Sequence, residues 1–430
     1  MSMVFVMMVA GGFFGGALEA AAEQSDEPIA DAVTLDWVLR EVPEAHETWE
    51  ITEMQIRQSQ ARRREVLGLL LPQVNMSANA TRRGGELDDT EISGRALQPR
   101  YDWGVGATAS VTVFDGPRYF DYWQADVMVD ATEQSVTWQR RLLRLEAELA
   151  FFMLAAAQRE VEIADAAIEW RQRYLEQAQA LVDAGMAVAV DVSRARSQVL
   201  EAEQASLEAE AVRGNAADNL ATLLGRSPDG SLQVDFDPAS EGPEMREDAE
   251  SITEERADFM SRRSMIVASE FGERGVWWGL LPRVDFSINS QYGAVTAFNA
   301  DPFRWSTGLS ATWNLYDGGA RYARADALQA QIIEQELELE RDLREANVQM
   351  VQALREWRSA GAAIIVAEEQ VEVAEETFEM VSARFESGLA TSLEVSDASQ
   401  ELLNAELRLN QVRLQARLAE VRFRYLEEME

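Results

Sequence analysis

From Pro117 to Gly185 the chain runs for 69 residues without an internal proline or glycine. At 1.5 Å per residue a helix of that length extends about 100 Å, which no compact globule can hold. A comparable stretch, interrupted only by Gly361, runs from Gly319 to Gly388. Its apolar positions, among them Leu343, Ala346, Met350, Leu354 and Trp357, advance by threes and fours to Phe385, 42 residues in twelve steps. That spacing of 3.5 is the coiled-coil value, and it reads as a packing seam with Glu, Gln and Arg on the wet side.

The two stretches belong to a duplication. GLLLPQVNMSANA from Gly68 recurs as GLLPRVDFSINS from Gly279, WGVGATASVTVFDG from Trp103 as WSTGLSATWNLYDG from Trp305, and DAGMAVAVDVSRA from Asp183 as ESGLATSLEVSDA from Glu386. Aligned on Pro72 and Pro282, on Trp103 and Trp305 and on Gly185 and Gly388, the offsets are 210, 202 and 203 residues, so nearly the whole chain is one unit copied twice. The first repeat spans residues 23–225 and the second 251–430, joined by a Pro-, Gly- and acid-rich connector over 226–250. Each repeat opens with a helix, near 34–70 or 247–279. Two strands follow, near 72–83 and 101–114 in the first copy and 282–293 and 303–316 in the second. A long helix, a break at Gly185 or Gly388 and a returning helix complete the unit.

The strands alternate between two environments. Val284, Phe286, Ile288 and Tyr292 fall on one side, and Asp285, Ser287, Asn289 and Gln291 on the other. Trp305, Thr307, Leu309, Ala311, Trp313 and Leu315 likewise oppose Ser306, Gly308, Ser310, Thr312 and Asn314. A soluble sheet over a core and a membrane barrel both produce this pattern. Strands of this length cross a bilayer when tilted. Trp305 and Tyr292 near the loops, and Trp277, Trp278 and Tyr316 near the helices, stand where two aromatic girdles would sit. Four strands cannot close a barrel, so a membrane sheet would need neighbouring chains.

Composition narrows the function. With 75 acidic against 39 basic residues, a charge of −36, nucleic acid is not a partner. The absence of cysteine excludes disulfides, thiolate metal sites and a lipidated cysteine. One histidine, His46, reads as a surface residue, and the basic run Arg62–Arg64 as a solvated or interfacial helix face. No residue set gathers into a catalytic or cofactor site, so no enzyme, cofactor or metal is expected. Residues 1–22 resemble a secretory signal, an apolar run from Met3 to Leu18 with cleavage after Ala20 or Ala22, although no Lys or Arg precedes the run.

In order and at this spacing, the paired Leu-Leu-Pro strand openings, the aromatic-Asp-Gly exits at 114–116 and 316–318 and the two Gly-containing tip turns resemble the TolC-like outer-membrane efflux protein family. The resemblance covers essentially the full mature chain. It implies a mostly α protein with a membrane β-barrel. It further implies a homotrimer in which twelve strands form one barrel in the outer-membrane lipid and the helices form a hollow periplasmic tunnel. That duct exports substrates passively and docks a periplasmic adaptor and an inner-membrane transporter of an efflux or type I secretion system. A periplasmic adaptor is the alternative reading, disfavoured by the duplicated amphipathic strands.

The resemblance also places the tip turns at Gly185 and Gly388 at the periplasmic entrance. Polar contacts there include an Asp, here Asp191, whose usual aromatic and basic counterparts fall on Phe385 and Ala390. Phe385 has no hydroxyl and Ala390 no charge. Apolar closure by Phe385 and Leu389 is one substitute, and a polar lock through Arg194 or Arg384 another. Glu394 and Asp397 share a helix face. They read either as acids in a solvated first turn or as a lumen-lining ring that favours cations, in which mutual repulsion would raise some of their pKa values.

Overall fold

In the computed structural model the described residues are 32–82, 91–92, 95–96, 101–185, 187–228, 230–236, 255–294, 301–387 and 389–427. The segment read as a signal, most of the connector and Gly388 lie outside them. Among the described residues, no helix is long and apolar enough to cross a membrane.

The chain opens with α1 (Leu35–Ala45) and α2 (Glu47–Gly68), where a single helix over 34–70 was expected. The break falls at His46, whose extended backbone ends α1 and whose Nδ1 accepts the Thr48 N–H at 3.1 Å, capping α2. Strands β1 (Gln73–Arg82) and β4 (Tyr101–Phe114) follow, with the two-residue strands β2 (Glu91–Ile92) and β3 (Arg95–Ala96) between them. Helix α3 (Gly116–Asp183) is continuous over 68 residues, and α4 (Ala189–Leu223) returns beside it. The second series is α5 (Ala257–Trp278), β5 (Arg283–Gly293), β6 (Phe303–Thr312), α6 (Ala320–Glu386) and α7 (Ser392–Glu427).

β6 stops three to four residues earlier than alternation alone indicates. Its partner β5 begins at Arg283, paired with Thr312, and the residue before it is Pro282, which has no N–H to extend the ladder. Trp313 instead turns its Nε1 to the Leu280 carbonyl oxygen at 2.8 Å.

The strands form one antiparallel sheet in the order β1-β4-β5-β6. The register aligns the alternation across the four strands as far as Thr112, after which β4 shifts against β5 before Phe114. Met76, Ala107, Val105, Ile288, Phe286 and Leu309 lie on one face, and Asn75, Thr108, Asn289 and Ser306 on the other. On the polar face Thr108 Oγ1 donates to Asn289 Oδ1 at 2.9 Å, and Thr112 Oγ1 to Asp285 Oδ1 at 3.0 Å.

The helices supply three apolar cores, each on a seam between them. One joins α1, α3 and α4 near mid-length, around Phe151, Leu154 and Leu220, where Val33 bridges Val234. A second joins α5, α6 and α7 around Phe259, Met350 and Trp357. The third lies at the tips of the two hairpins.

Candidate functional site: an uncovered sheet and a helical entrance

Among the described residues, nothing packs on the apolar face of the sheet. Met76 is 78% exposed, and Val74, Trp305 and Leu309 are nearly as open. A soluble sheet buries such a face. Aromatic residues mark both ends of it. Trp103 packs on Tyr292 with centroids 5.8 Å apart near the loops. Exposed Trp277, Trp278, Trp313 and Tyr316 stand at the helix end. The outer edges of β1 and β6 pair with no other strand among the described residues.

The far ends of the hairpins carry the residues singled out by sequence. Gly185 ends α3 at φ +72°, a left-handed conformation that favours glycine. Asp191, in the first turn of α4, accepts the Val188 N–H at 3.3 Å through Oδ2, and Arg194 stands 4.0 Å from its other oxygen. The tips enclose a cavity of about 620 Å³ lined by Asp191, Arg194, Phe385 and Ala390 among others. The structure thus brings Asp191, Phe385 and Ala390 to one cavity. Phe385 is buried, with Tyr174, Ala178, Ala195 and Val395 around it.

Leu389 stands apart from that cluster, 72% exposed. Arg384 braces the turn carrying it, its Nη2 donating to the Leu389 carbonyl oxygen at 3.4 Å. Glu394 caps α7. Its Oε2 accepts the Thr391 N–H at 2.6 Å and the Thr391 hydroxyl at 2.9 Å, while its own N–H returns to that hydroxyl at 3.3 Å. These bonds hold its carboxyl below the ordinary glutamate value of 4.5 within the single chain. Asp397 is exposed one turn on.

Two residues at the tip were not singled out by sequence. Tyr174 on α3 is buried, stacks on Trp170 at 5.6 Å and donates its hydroxyl to the Ser392 carbonyl oxygen on α7 at 3.3 Å. Burial raises its pKa. Arg171, one turn earlier, is also buried. Neither stands out in WRQRYLEQ, where Arg173 is as prominent as Arg171 and only the helix phase separates them.

The model of the outer membrane efflux protein family matches residues 51–226 and 278–426, so the chain belongs to that family. Its fold is that of solved outer-membrane channels. VceC from Vibrio cholerae aligns at a TM-score of 0.76 and 19% identity, over 91% of this chain and 96% of that one. The Campylobacter jejuni CmeC channel aligns at 0.80 and 15%, over 98% and 93%. The open state of Neisseria gonorrhoeae MtrE aligns at 0.74 and 17%, over 91% and 88%. No curated protein matches in sequence. The protein is therefore an outer-membrane channel of the efflux class, and the adaptor reading gives way to the family match.

Proposed function

We propose that the chain is the passive exit duct of a tripartite efflux or type I secretion system. Three copies close twelve strands into one barrel in the outer membrane, and the α3–α4 and α6–α7 hairpins form a tunnel through the periplasm. The observation that carries this reading is the four-stranded sheet itself, with an uncovered apolar face and two open edges. Open edges cannot persist in lipid, and closure by further copies satisfies every backbone group. The tips of the two hairpins form the entrance, where a periplasmic adaptor and an inner-membrane transporter dock.

Within that entrance Phe385, against Tyr174, holds the two hairpins of one copy together, and Asp191 lines the cavity beside it. Glu394 and Asp397, exposed on one face of α7, gather into a ring that favours cations. Purified protein added to planar lipid bilayers tests the duct. Long-lived steps of ion conductance are expected, small when the entrance is closed. A protein that leaves such bilayers electrically silent would refute the reading.

A further inference from the structure

The basic run Arg62–Arg64 lies at the end of α2, immediately before the sheet. Between Arg57 and Leu71 stand four arginines and one acid, Glu65, in a chain whose acids outnumber its bases by 75 to 39. Three of the arginines have carboxylate partners. Arg57 pairs with Glu53 and Arg62 with Glu65, each at 2.6 Å, and Arg63 reaches Asp126 on α3 at 2.9 Å. Arg64 is exposed and makes no ion pair with another described residue. One turn nearer the sheet on the same face stands Leu67, exposed like Leu69 and Leu71 beyond it. Apolar surface therefore begins where the cation ends.

The second repeat carries the same arrangement. With Pro72 aligned on Pro282, Arg64 falls on Arg274, Leu67 on Trp277 and Leu71 on Leu281. Arg274 and Trp278, four residues apart, share a face of α5. That face continues the apolar side of the sheet. Phe114 closes β4 opposite Val284, and Trp278 packs on Phe114 and on Phe120. Phe120 packs in turn on Trp123 and Phe271, with ring centroids 5.0 and 6.3 Å away. The Arg274 guanidinium closes this ladder, 5.6 Å from the centre of the Phe271 ring. Trp123 and Trp278 remain exposed.

Depth and chemistry together name an occupant. Arg274 lies about 6 Å of helix below Trp278, and the headgroup layer of a bilayer is roughly 5–8 Å deep on each side. A guanidinium is weakly hydrated and matches phosphate oxygens with paired N–H groups. Glu270 takes one Arg274 nitrogen at 3.2 Å and leaves other donors for a ligand. We propose that Arg64 and Arg274 bind the phosphates of anionic phospholipids in the periplasmic leaflet, with Leu67, Leu71, Trp278 and Leu281 against the start of the acyl chains. The proposal rests on the reading of the apolar sheet face as facing lipid. A chain of charge −36 otherwise repels such lipids, so their retention depends on these two positions.

Native mass spectrometry of the full protein, in mild detergent doped with equal amounts of phosphatidylglycerol and phosphatidylcholine, tests this. The variants are Arg64→Gln, Arg274→Gln, the two combined, and Arg64→Lys/Arg274→Lys. Arg344→Gln, at an exposed arginine paired with Glu340 farther along α6, is the control. Wild type should retain phosphatidylglycerol in preference to phosphatidylcholine. One basic side chain near a membrane surface changes affinity for anionic lipid about fivefold, so each single Gln variant should lower the ratio at its site by that factor. The double Gln variant should retain both lipids equally, and the double Lys variant should keep a preference. Equal retention by wild type, or a preference that survives in the double Gln variant, would overturn the site. A loss in Arg344→Gln as large as in the double Gln variant would also overturn it, because bulk charge would then set the preference. Inorganic phosphate in large excess should leave the lipid in place, and displacement by it would reduce the site to one for a bare anion. Flotation with phosphatidylcholine vesicles separates the two readings. A protein that floats but shows no preference loses only this site, whereas one that does not float removes the membrane reading of the sheet as well.

Discussion

The Phe385 ring lies 5.5 Å from the ring of Tyr174, centroid to centroid, and so joins the end of α6 to α3 across the tip cavity. Through Tyr174 the contact continues to the first residue of α7. Truncating a buried Phe to Ala costs about 3–5 kcal/mol where the site cannot collapse, and this site already borders a cavity. Phe385→Ala should therefore loosen the tip, raising single-channel conductance and sensitising cells to bulky antibiotics. Leu389→Ala, at an exposed position, should leave both unchanged. The reverse pattern would move closure from the buried cluster to the exposed turn.

The sheet's two faces make opposite predictions for adjacent residues. Ile288 sits on the apolar face between Ala109 and Thr307, while Asn289 faces the other way beside Thr108. Arginine on a lipid-facing strand position near the midplane costs about 2–4 kcal/mol. Urea unfolding in lipid vesicles should show that loss for Ile288→Arg and little change for Asn289→Arg. Equal losses would mean that the uncovered face does not meet lipid.

Glu394 carries a pH prediction whose sign runs opposite to that of crowded acids. Its carboxyl is held below 4.5 by the Thr391 bonds, so the cap is intact above that pH and is lost as pH falls through the lowered native value. Reversal potentials across a salt gradient should show a cation preference that persists to below pH 4.5 and weakens in Glu394→Gln/Asp397→Asn. A preference that fades well above 4.5 would show that neighbouring carboxylates, rather than Thr391, set the titration. An unaltered preference in the double variant would make both acids ordinary first-turn residues.

Length and phase were legible in the sequence, because uninterrupted helix and strict alternation are local properties. Alternation shows where a strand lies but not where it ends: β6 closes at Thr312, opposite the Arg283 that follows Pro282. The pairing of β4 with β5, which fuses the two strand pairs into one sheet, depends on contacts between distant segments. The repeated aromatic-Asp-Gly exit shows the limit most plainly. A Cβ at Gly116 would meet the Trp278 side chain at 2.7 Å, whereas Gly318 stands in open space at φ +73°. One motif serves close approach in one copy and a left-handed turn in the other. Around the tip cavity, the burial of Tyr174 and Arg171 could not be read from the sequence, because burial on α3 is decided by how α7 crosses it.

Three copies of this chain are expected to close one another's sheets in the outer membrane. Native mass spectrometry of the protein extracted from outer membranes in mild detergent measures this directly. A single assembly of three copies of the chain is expected. A monomer, or a protein recovered without detergent from the soluble fraction, would contradict it.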